Sequence, residues 1–520
     1  MIHYLIEQKG RCKMKWLDGF RIELMAFGLI TAIVLNSFNP ANGAMITVGP
    51  GAGYDFHTIQ AGIDAVVDGD TVLVAPGEYV ITEPITFRGK AITVRSDAGR
   101  DQTTIRMSTP ADHKRGSIVI FENNETEASV LDGFRLTGGI GTWGEQPDQQ
   151  MGAGGGILFN GSSGTVQNCA IVRNSPTLAG GIMCHECSVG VTDCIIAENS
   201  AEEPGGVYVY GDASLTLTNC VIMGNTARYN GGVACVWPGS SLTMRNCTIC
   251  RNSATDQGGG LGCYRGASVS ATNCIITGNT SGNTGGVICL SPDSSLTLRN
   301  CTIWRNSATD VCGGLACALG ASVTVTNCIL WGNTSPDAKE MFLYQGSEAP
   351  PRVSVDHSNV AGGRGGVHVM GDCTLNWCGS NINTDPFFAN PGYWADIDDP
   401  NVVVEYNAPN AVWVEGDYHL RSQAGRWDPT SENWVQDDIT SLCIDAGDPM
   451  SPIGRERFPN GGFINMGAYG GTPKASKSYF GQPVCETIVA GDINGDGQVN
   501  RSDLMIMAFH WTDDVPLPLP

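Results

Sequence analysis

The sequence predicts an all-β solenoid, a parallel β-helix, and three observations carry that expectation. A polar residue followed by Cys recurs at Asn168/Cys169, Asp193/Cys194, Asn219/Cys220, Asn246/Cys247, Asn273/Cys274, Asn300/Cys301 and Asn327/Cys328, at intervals of 25 to 27 residues. Within each interval another Asn falls five residues after the Cys, from Asn174 to Asn333, and a Gly pair precedes a branched aliphatic, as in Gly232-Val233 and Gly260-Leu261. The segments between alternate at period two: Leu242 and Met244 share one face while Ser241, Thr243 and Arg245 take the other. A unit this short cannot bury its own apolar face, so it must stack on its neighbours.

Taken in chain order, the first element is a leader. Lys9, Arg11, Lys13, Lys15 and Arg21 precede the apolar run Leu24 to Leu35, and Ala41 and Gly43 precede Ala44. This pattern reads as a secretory signal peptide over 1–44, and its apolar run is short for a membrane span. The chain is therefore expected to be exported to the periplasm, the cell surface or the medium. Next, Ile59, Ile63 and Val66 repeat at helical spacing and are expected to form an N-terminal capping helix over the end of the apolar bore.

The β-helix is assigned to 45–345, with regular repeats over 150–335. Three short strands per turn, bent at Asn and Gly, account for each unit. Adjacent turns then lie about 4.8 Å apart, so equivalent residues stand above one another. The repeat cysteines form one column, and Cys184, Cys235, Cys263, Cys289 and Cys317 form another. Both columns read as small buried apolar residues. The Asn columns belong at bends, where Asn tolerates left-handed backbone and its amide can bond the copies above and below. "RNCTICRNSATD" at 245–256 returns as "RNCTIWRNSATD" at 299–310, so the copied unit is two turns long. It places Arg251 and Arg305 about 10 Å apart on one side.

After Thr334 the period fails, and 346–475 is assigned to degenerate final turns and a C-terminal cap. Cys373 and Cys378 lie five apart outside the columns and are the expected disulfide, with Cys443 and Cys485 a second pairing. Residues 476–520 form a separate calcium-loop and helix appendage. With 52 acidic against 30 basic residues, the formal charge of -22 disfavours nucleic acid and anionic lipid surfaces and suits calcium or neutral ligands.

The opening "TIQAGIDAVVDGDTVLVAPGEY", the phrase "LDGFRLTGG" at 131–139, and the closing "CIDAGDPM" and "GGFINMGAYGGTP" carry a family resemblance. The chain resembles right-handed parallel β-helix proteins of the pectin-lyase-like superfamily, over roughly 45–420. Within that superfamily it is similar to repeat-rich secreted bacterial proteins related to polymorphic outer-membrane proteins. The resemblance implies a right-handed coil. It also implies that a catalytic member would use clustered carboxylates, or an Arg or Lys base with calcium, projecting from outside the coil.

The most specific local motif is "GDINGDGQVNRSD". Asp492, Asn494, Asp496, the Gln498 carbonyl, Asn500 and Asp503 occupy positions 1, 3, 5, 7, 9 and 12 of a calcium loop, with Gly497 at the sharp turn. The segment resembles half of a dockerin repeat, which implies bound Ca²⁺ and a cohesin-like or cell-surface partner. For catalysis the best interruption of the repeat is Asp193, which replaces the column Asn, together with Glu198 and with Arg173 one turn earlier; Glu202 and Glu203 lie nearby. Two carboxylates at that separation could act as an acid and base pair on a glycoside. "NTD" at 383–385 mimics a hydrolase motif, and "CHEC" at 184–187 has zinc-ligand spacing although Cys184 already fits a core column. Trp143, Trp237, Trp304 and Trp331 are candidate platforms for sugar rings where exposed, and Trp304 and Trp331, as repeat members, are equally candidates for packing. The expected function is carbohydrate or cell-surface recognition and adhesion, with a polysaccharide or surface glycan as partner. A polysaccharide lyase or glycoside hydrolase, and a purely structural surface protein, are the alternatives.

Overall fold

The computed structural model describes residues 43–143 and 152–478. Most of the signal segment and the whole calcium loop at 492–503 lie outside the described residues. Three long parallel sheets run the length of the coil, with 13, 11 and 11 strands, here sheets 1, 2 and 3 in the order each turn visits them. One turn shows the plan: Ser241–Arg245 lies in sheet 1, Thr248–Cys250 in sheet 2 and Leu261–Tyr264 in sheet 3. A fourth, five-stranded sheet exceeds the expectation, because the stretch after the second Asn, such as Ser253–Gln257, also pairs with its copies.

Register stacks like on like. Leu215, Leu242, Val269, Leu296 and Val323 pair in succession along sheet 1, and Ile196, Ile222, Ile249, Ile276 and Ile303 along sheet 2. These side chains fill one continuous apolar bore. At its N-terminal end the bore meets the helix Ile59–Ala65, whose N-cap Thr58 accepts a hydrogen bond from the Ala61 amide at 3.3 Å. Ile59, Ile63 and Val66 are buried as expected, and Gly62 packs so closely on Val48 and Val72 that a Cβ there would clash. Lys90 Nζ donates to the Ile63 and Asp64 carbonyls at 2.7 and 3.0 Å, satisfying the helix C-terminus.

Corners explain the repeated letters. Every polar residue of the polar-Cys pair has left-handed backbone, with φ between 47° and 56° from Asn168 to Asn327. The Cys that follows turns inward, and its thiol donates to the carbonyl two residues back at 3.2–3.3 Å in all seven turns. The column cysteines are free, buried thiols. Burial holds the Cys301 thiol well above its ordinary range, so it stays neutral.

The second Asn of each turn makes the stricter contact. Asn174, Asn199, Asn225, Asn252, Asn279, Asn306 and Asn333 are fully buried or nearly so. Asn252 is typical: Nδ2 donates to Asn279 Oδ1 at 3.0 Å and to the Ile222 carbonyl at 2.9 Å, while its backbone N–H reaches the same Asn279 Oδ1 at 3.0 Å. Its own Oδ1 accepts from the Asn225 backbone and side chain. The amides thus form a closed ladder through the coil. At the last rung Asn333 Nδ2 donates to Glu340 Oε2 at 2.6 Å, and burial pushes that carboxyl up to about 7.

Beyond Thr334 the letters change but the positions persist. Ser358 takes the Cys place: its hydroxyl accepts from the Cys328 amide at 3.1 Å and donates to the Asp356 carbonyl at 2.8 Å. Sheet 1 continues to Thr374–Trp377. The expected Cys373–Cys378 disulfide is not formed, because the two lie at opposite ends of that strand; Cys373 Sγ donates to the Met370 carbonyl instead. Cys443 Sγ accepts from Asn359 Nδ2, and Cys485 lies outside the described residues.

Residues 388–478 fold back along the outer face of sheet 2. Trp413, Phe388, Tyr418, Leu420 and Met466 pack on Trp304 and Ile329 there. The outer Asn column holds this segment by its backbone: Asn273 Nδ2 donates to the Ala468 and Gly470 carbonyls at 2.9 and 2.7 Å, and Asn300 Nδ2 to the Asn465 carbonyl at 2.8 Å. Inside the segment, half-buried Arg426 pairs with Asp417 and Asp437 at 3.3 and 3.1 Å.

Asn252→Ala leaves several buried ladder groups unpaired and should cost roughly 3–5 kcal/mol in chemical denaturation, by the cost of orphaned buried groups. The exposed corner variant Asn246→Ala should cost about 1 kcal/mol, and Asn246→Gly less. Glu340 gives a pH signature. Its folded-state value near 7 exceeds the ordinary 4.5, so its contribution is full below about pH 4.5 and is lost as pH rises towards 7. The loss should amount to roughly 3 kcal/mol, and Glu340→Gln should flatten it in denaturation curves collected from pH 4 to 8.

Candidate functional site

The sequence-derived acid pair resolves into two separate surface roles. Arg173 Nε donates to Glu198 Oε2 at 2.7 Å in an ion pair whose partners are both mostly exposed. Asp193 stands at the other end of the strand Ile195–Ala197 and continues the corner column, accepting from Asn219 Nδ2 at 3.1 Å while its carbonyl accepts from Arg100 at 2.6 Å. Glu202 faces Arg228 at 3.7 Å, and Arg228 donates to Asp256 Oδ2 at 3.0 Å. The carboxylates of this side are thus spread along the turns, Glu198, Glu202 and Asp256 on arginines and Asp193 on an amide.

A denser constellation stands on the outer face of sheet 3. In Val207–Tyr210 the valines point inward, so Tyr208 and Tyr210 point out, and register places Tyr210 between His185 and Val236. His185 and Tyr210 stack at 5.2 Å, Tyr208 and Tyr210 at 5.8 Å, and Trp237 meets Tyr210 edge-on at 6.4 Å. Trp237 occupies a left-handed corner with φ of 80°, which throws its indole outward to 41% exposure. The Arg265 guanidinium lies 4.8 Å above that indole.

Small residues make room for this strip. Ala234 and Gly262 follow Tyr208 in register, and a Cβ at Gly262 would come within 2.3 Å of the Tyr264 ring. That ring folds flat across the sheet, and its hydroxyl donates to Asn230 Oδ1. Above the strip, burial raises Glu203 above the ordinary carboxylate range, opposed by Arg265.

A groove of about 440 Å³ continues this surface, lined by Tyr229, Thr255, Asp256, Asn283, Thr309 and Asp310 among others. Glu203, which feels both Arg265 of the strip and Arg228, lies between the two, and Arg228 lies 4.8 Å over the Tyr229 ring while it pairs with Asp256. Thr255-Asp256 and Thr309-Asp310 are the two copies of the duplicated unit, two turns or about 10 Å apart. A second cleft of about 610 Å³, between Asp337–Glu340 and Ala361–Val369, lies nearer the C-terminal end of the coil.

The other sequence candidates fall elsewhere. Trp304 is 8% exposed beneath the fold-back segment, its Nε1 donating to the Gly392 carbonyl at 2.9 Å, and half-buried Trp331 joins the same cluster. Trp143 stays exposed, edge-on to His113 at 5.8 Å. Thr384 and Asp385 build turns, bonding Asn359 and the Phe387 amide. In "CHEC", Cys184 and Cys187 both face the bore while His185 points out to Asn160, so the histidine stands apart from the two thiols. Tyr208, Tyr210 and Arg265 were not singled out from sequence; the signal was "VYVY", an alternation whose outward letters are aromatic.

A family model described as "Right handed beta helix region" matches residues 112–249 and 206–382, which together span more than half of the chain. The chain belongs to the right-handed β-helix family. A model described as "Disaggregatase related" matches residues 399–447, inside the fold-back segment of this right-handed β-helix protein. Among solved structures, the chain is similar to pectate lyase Pel9A, at 14% identity over 78% of this chain and 89% of that one, with a TM-score of 0.43. It is similar to the A-module of the Azotobacter vinelandii mannuronan C-5 epimerase AlgE6, at 15% identity over 63% and 94%, with a TM-score of 0.38. It is also similar to pectin methylesterase from carrot, at 14% identity over 64% and 89%, with a TM-score of 0.30. No curated protein matches the chain. Among the described residues no helix is long and apolar enough to cross a membrane.

Proposed function

We propose that this β-helix is an exported carbohydrate-recognition protein, which binds a polysaccharide or surface glycan through the strip His185, Tyr210, Trp237 and Arg265 and the adjoining acid-lined groove. The observation that carries the reading is Trp237: an indole held outward by a left-handed corner, with a second ring beside it and a guanidinium above it. Sugar rings stack their C–H faces on such surfaces, and flanking Asp, Thr and Asn groups exchange hydrogen bonds with hydroxyls. Binding without turnover is favoured because Glu198 is tied to Arg173 and Asp193 belongs to the corner column. The segment 476–520 is the attachment device, with Asp492, Asn494, Asp496, the Gln498 carbonyl, Asn500 and Asp503 holding Ca²⁺ for a cohesin-like or cell-surface partner.

Affinity electrophoresis of the full chain against neutral and acidic polysaccharides, read for both retention and newly released chain ends, tests this function. Trp237→Ala should weaken retention about tenfold, a loss of about 1.4 kcal/mol, with unchanged thermal unfolding; Thr243→Ala on sheet 1 should change neither. Undiminished retention by Trp237→Ala would contradict the site. Released ends that disappear in Asp193→Ala and Glu198→Ala would replace the binding reading with a hydrolase or lyase.

A further inference from the structure

Among the described residues the apolar bore is closed at one end and open at the other. At the N-terminal end the helix Ile59–Ala65 covers it, with Ile59 and Ile63 at 2% and 0% exposure. At the C-terminal end the last strands, Val367–Met370 in sheet 3 and Thr374–Trp377 in sheet 1, each pair on one side only. Register makes Val369, Leu375 and Trp377 the next members of bore columns, because they follow Leu343, Val353 and Val355, none more than 1% exposed. Val369 nevertheless stands 42% exposed, and Leu375 and Trp377 are only half-buried against the core. One turn takes the bore from dry to wet, because no described residue stacks beyond it.

Sheet edges and solenoid ends that face water are ordinarily finished with charge or proline. Neither final strand contains Asp, Glu, Lys, Arg or Pro. The fold-back segment does not serve as the lid, since it lies along the outer face of sheet 2 on Trp304 and Ile329. An end of this composition calls for an apolar cover.

Residues 504–511, "LMIMAFHW", which lie outside the described residues, supply one by composition. Leu504, Met505, Ile506, Met507, Phe509 and Trp511 make six of the eight positions large and apolar, and none is charged. A stretch apolar on every side has to be buried. Connectivity brings it to this end of the coil. Ile382 bridges Asn359 on the final turn; six residues on, Phe388 pairs with Leu420, whose carbonyl accepts from the Ser476 hydroxyl, two residues before the last described residue. Ile382 to Phe388 spans at most about 20 Å. Leu504 comes 26 residues after Ser478, a reach of up to about 85 Å. The other apolar run outside the described residues, Leu24 to Leu35, precedes Met45–Val48, the first strand of sheet 1, and so joins the opposite end. Tethering also favours this occupant over a second copy, because a linked segment meets its site at an effective concentration on the order of mM, against about 1 µM for a dilute partner.

We infer that residues 504–511 dock on the C-terminal end of the bore and cover Val369, Leu375 and Trp377, as the N-terminal helix covers the other end. The contact is made within one chain and rests in no part on glycan binding. It fastens the calcium-loop segment 492–503 to the end of the coil.

Cys373 reports on the cover: it is half-buried against the bore on the final turn, whereas Cys378 is exposed. Alkylation of the full chain by iodoacetamide, in the presence of Ca²⁺, is followed by peptide mass spectrometry with Cys378 as the internal reference. Cys373 should react about tenfold more slowly in the unaltered chain than in a chain carrying Met507→Asp and Phe509→Asp, and equally slowly at about 1 and about 50 µM protein. Both substitutions lie outside the coil, so circular dichroism should be the same for the two chains. Equal alkylation rates in the two chains would overturn the inference. Protection that disappears on dilution would overturn it as well, by making a second copy the cover.

Discussion

The buried asparagine ladder constrains everything else in this molecule. A primary amide in an apolar bore must satisfy two N–H groups and a carbonyl, and it can do so only if the next turn presents an amide at the same depth. Asn252 meets Asn279 and Asn279 meets Asn306 on identical terms, so a shift of one residue in any turn would orphan donors on both sides. Hydrophobic stacking alone would tolerate such a shift more readily, since leucine, valine and isoleucine substitute for one another along the sheets. The ladder therefore supplies register, and the apolar bore supplies most of the driving force.

Once register is set, the outward positions follow. Alternation turns the tyrosines of Val207–Tyr210 to the outer face of sheet 3, Tyr210 beside His185, and the left-handed corner adds Trp237 to the same strip. On the opposite side of the inner column, the exposed corner asparagines serve two purposes. In the earlier turns they bond one another or an aspartate, whereas Asn273 and Asn300 turn their amides to the fold-back segment. One residue type at one position thus builds a regular coil and also docks an irregular element on it.

The coil was legible in the sequence because its contacts repeat: each column appears as letters at a fixed interval, and both Asn columns, the Cys columns and the capping helix occupy the expected places. What resisted reading was whatever the period does not encode. Ser358 hides a turn because a hydroxyl performs the role of a thiol, so the pattern fails while the geometry continues. Trp304 could be read either as a surface platform or as packed, because nothing local announces that residues from about 90 positions later will cover it. Similarly, Glu340 ends the ladder from a loop seven residues beyond Asn333. The candidate site was legible in part: Trp237 was singled out, but its partners required knowing which face of sheet 3 is outward.

Hydrogen exchange of the asparagine side-chain amides, followed by NMR on selectively labelled protein, tests the ladder most directly. The Nδ2 protons of Asn199, Asn225, Asn252, Asn279 and Asn306 should exchange only through global unfolding, with a denaturant dependence matching that of the whole coil, while those of Asn219 and Asn246 exchange freely. Rapid, denaturant-independent exchange at the buried set would show that the turns are not held in register by these amides and would contradict the account.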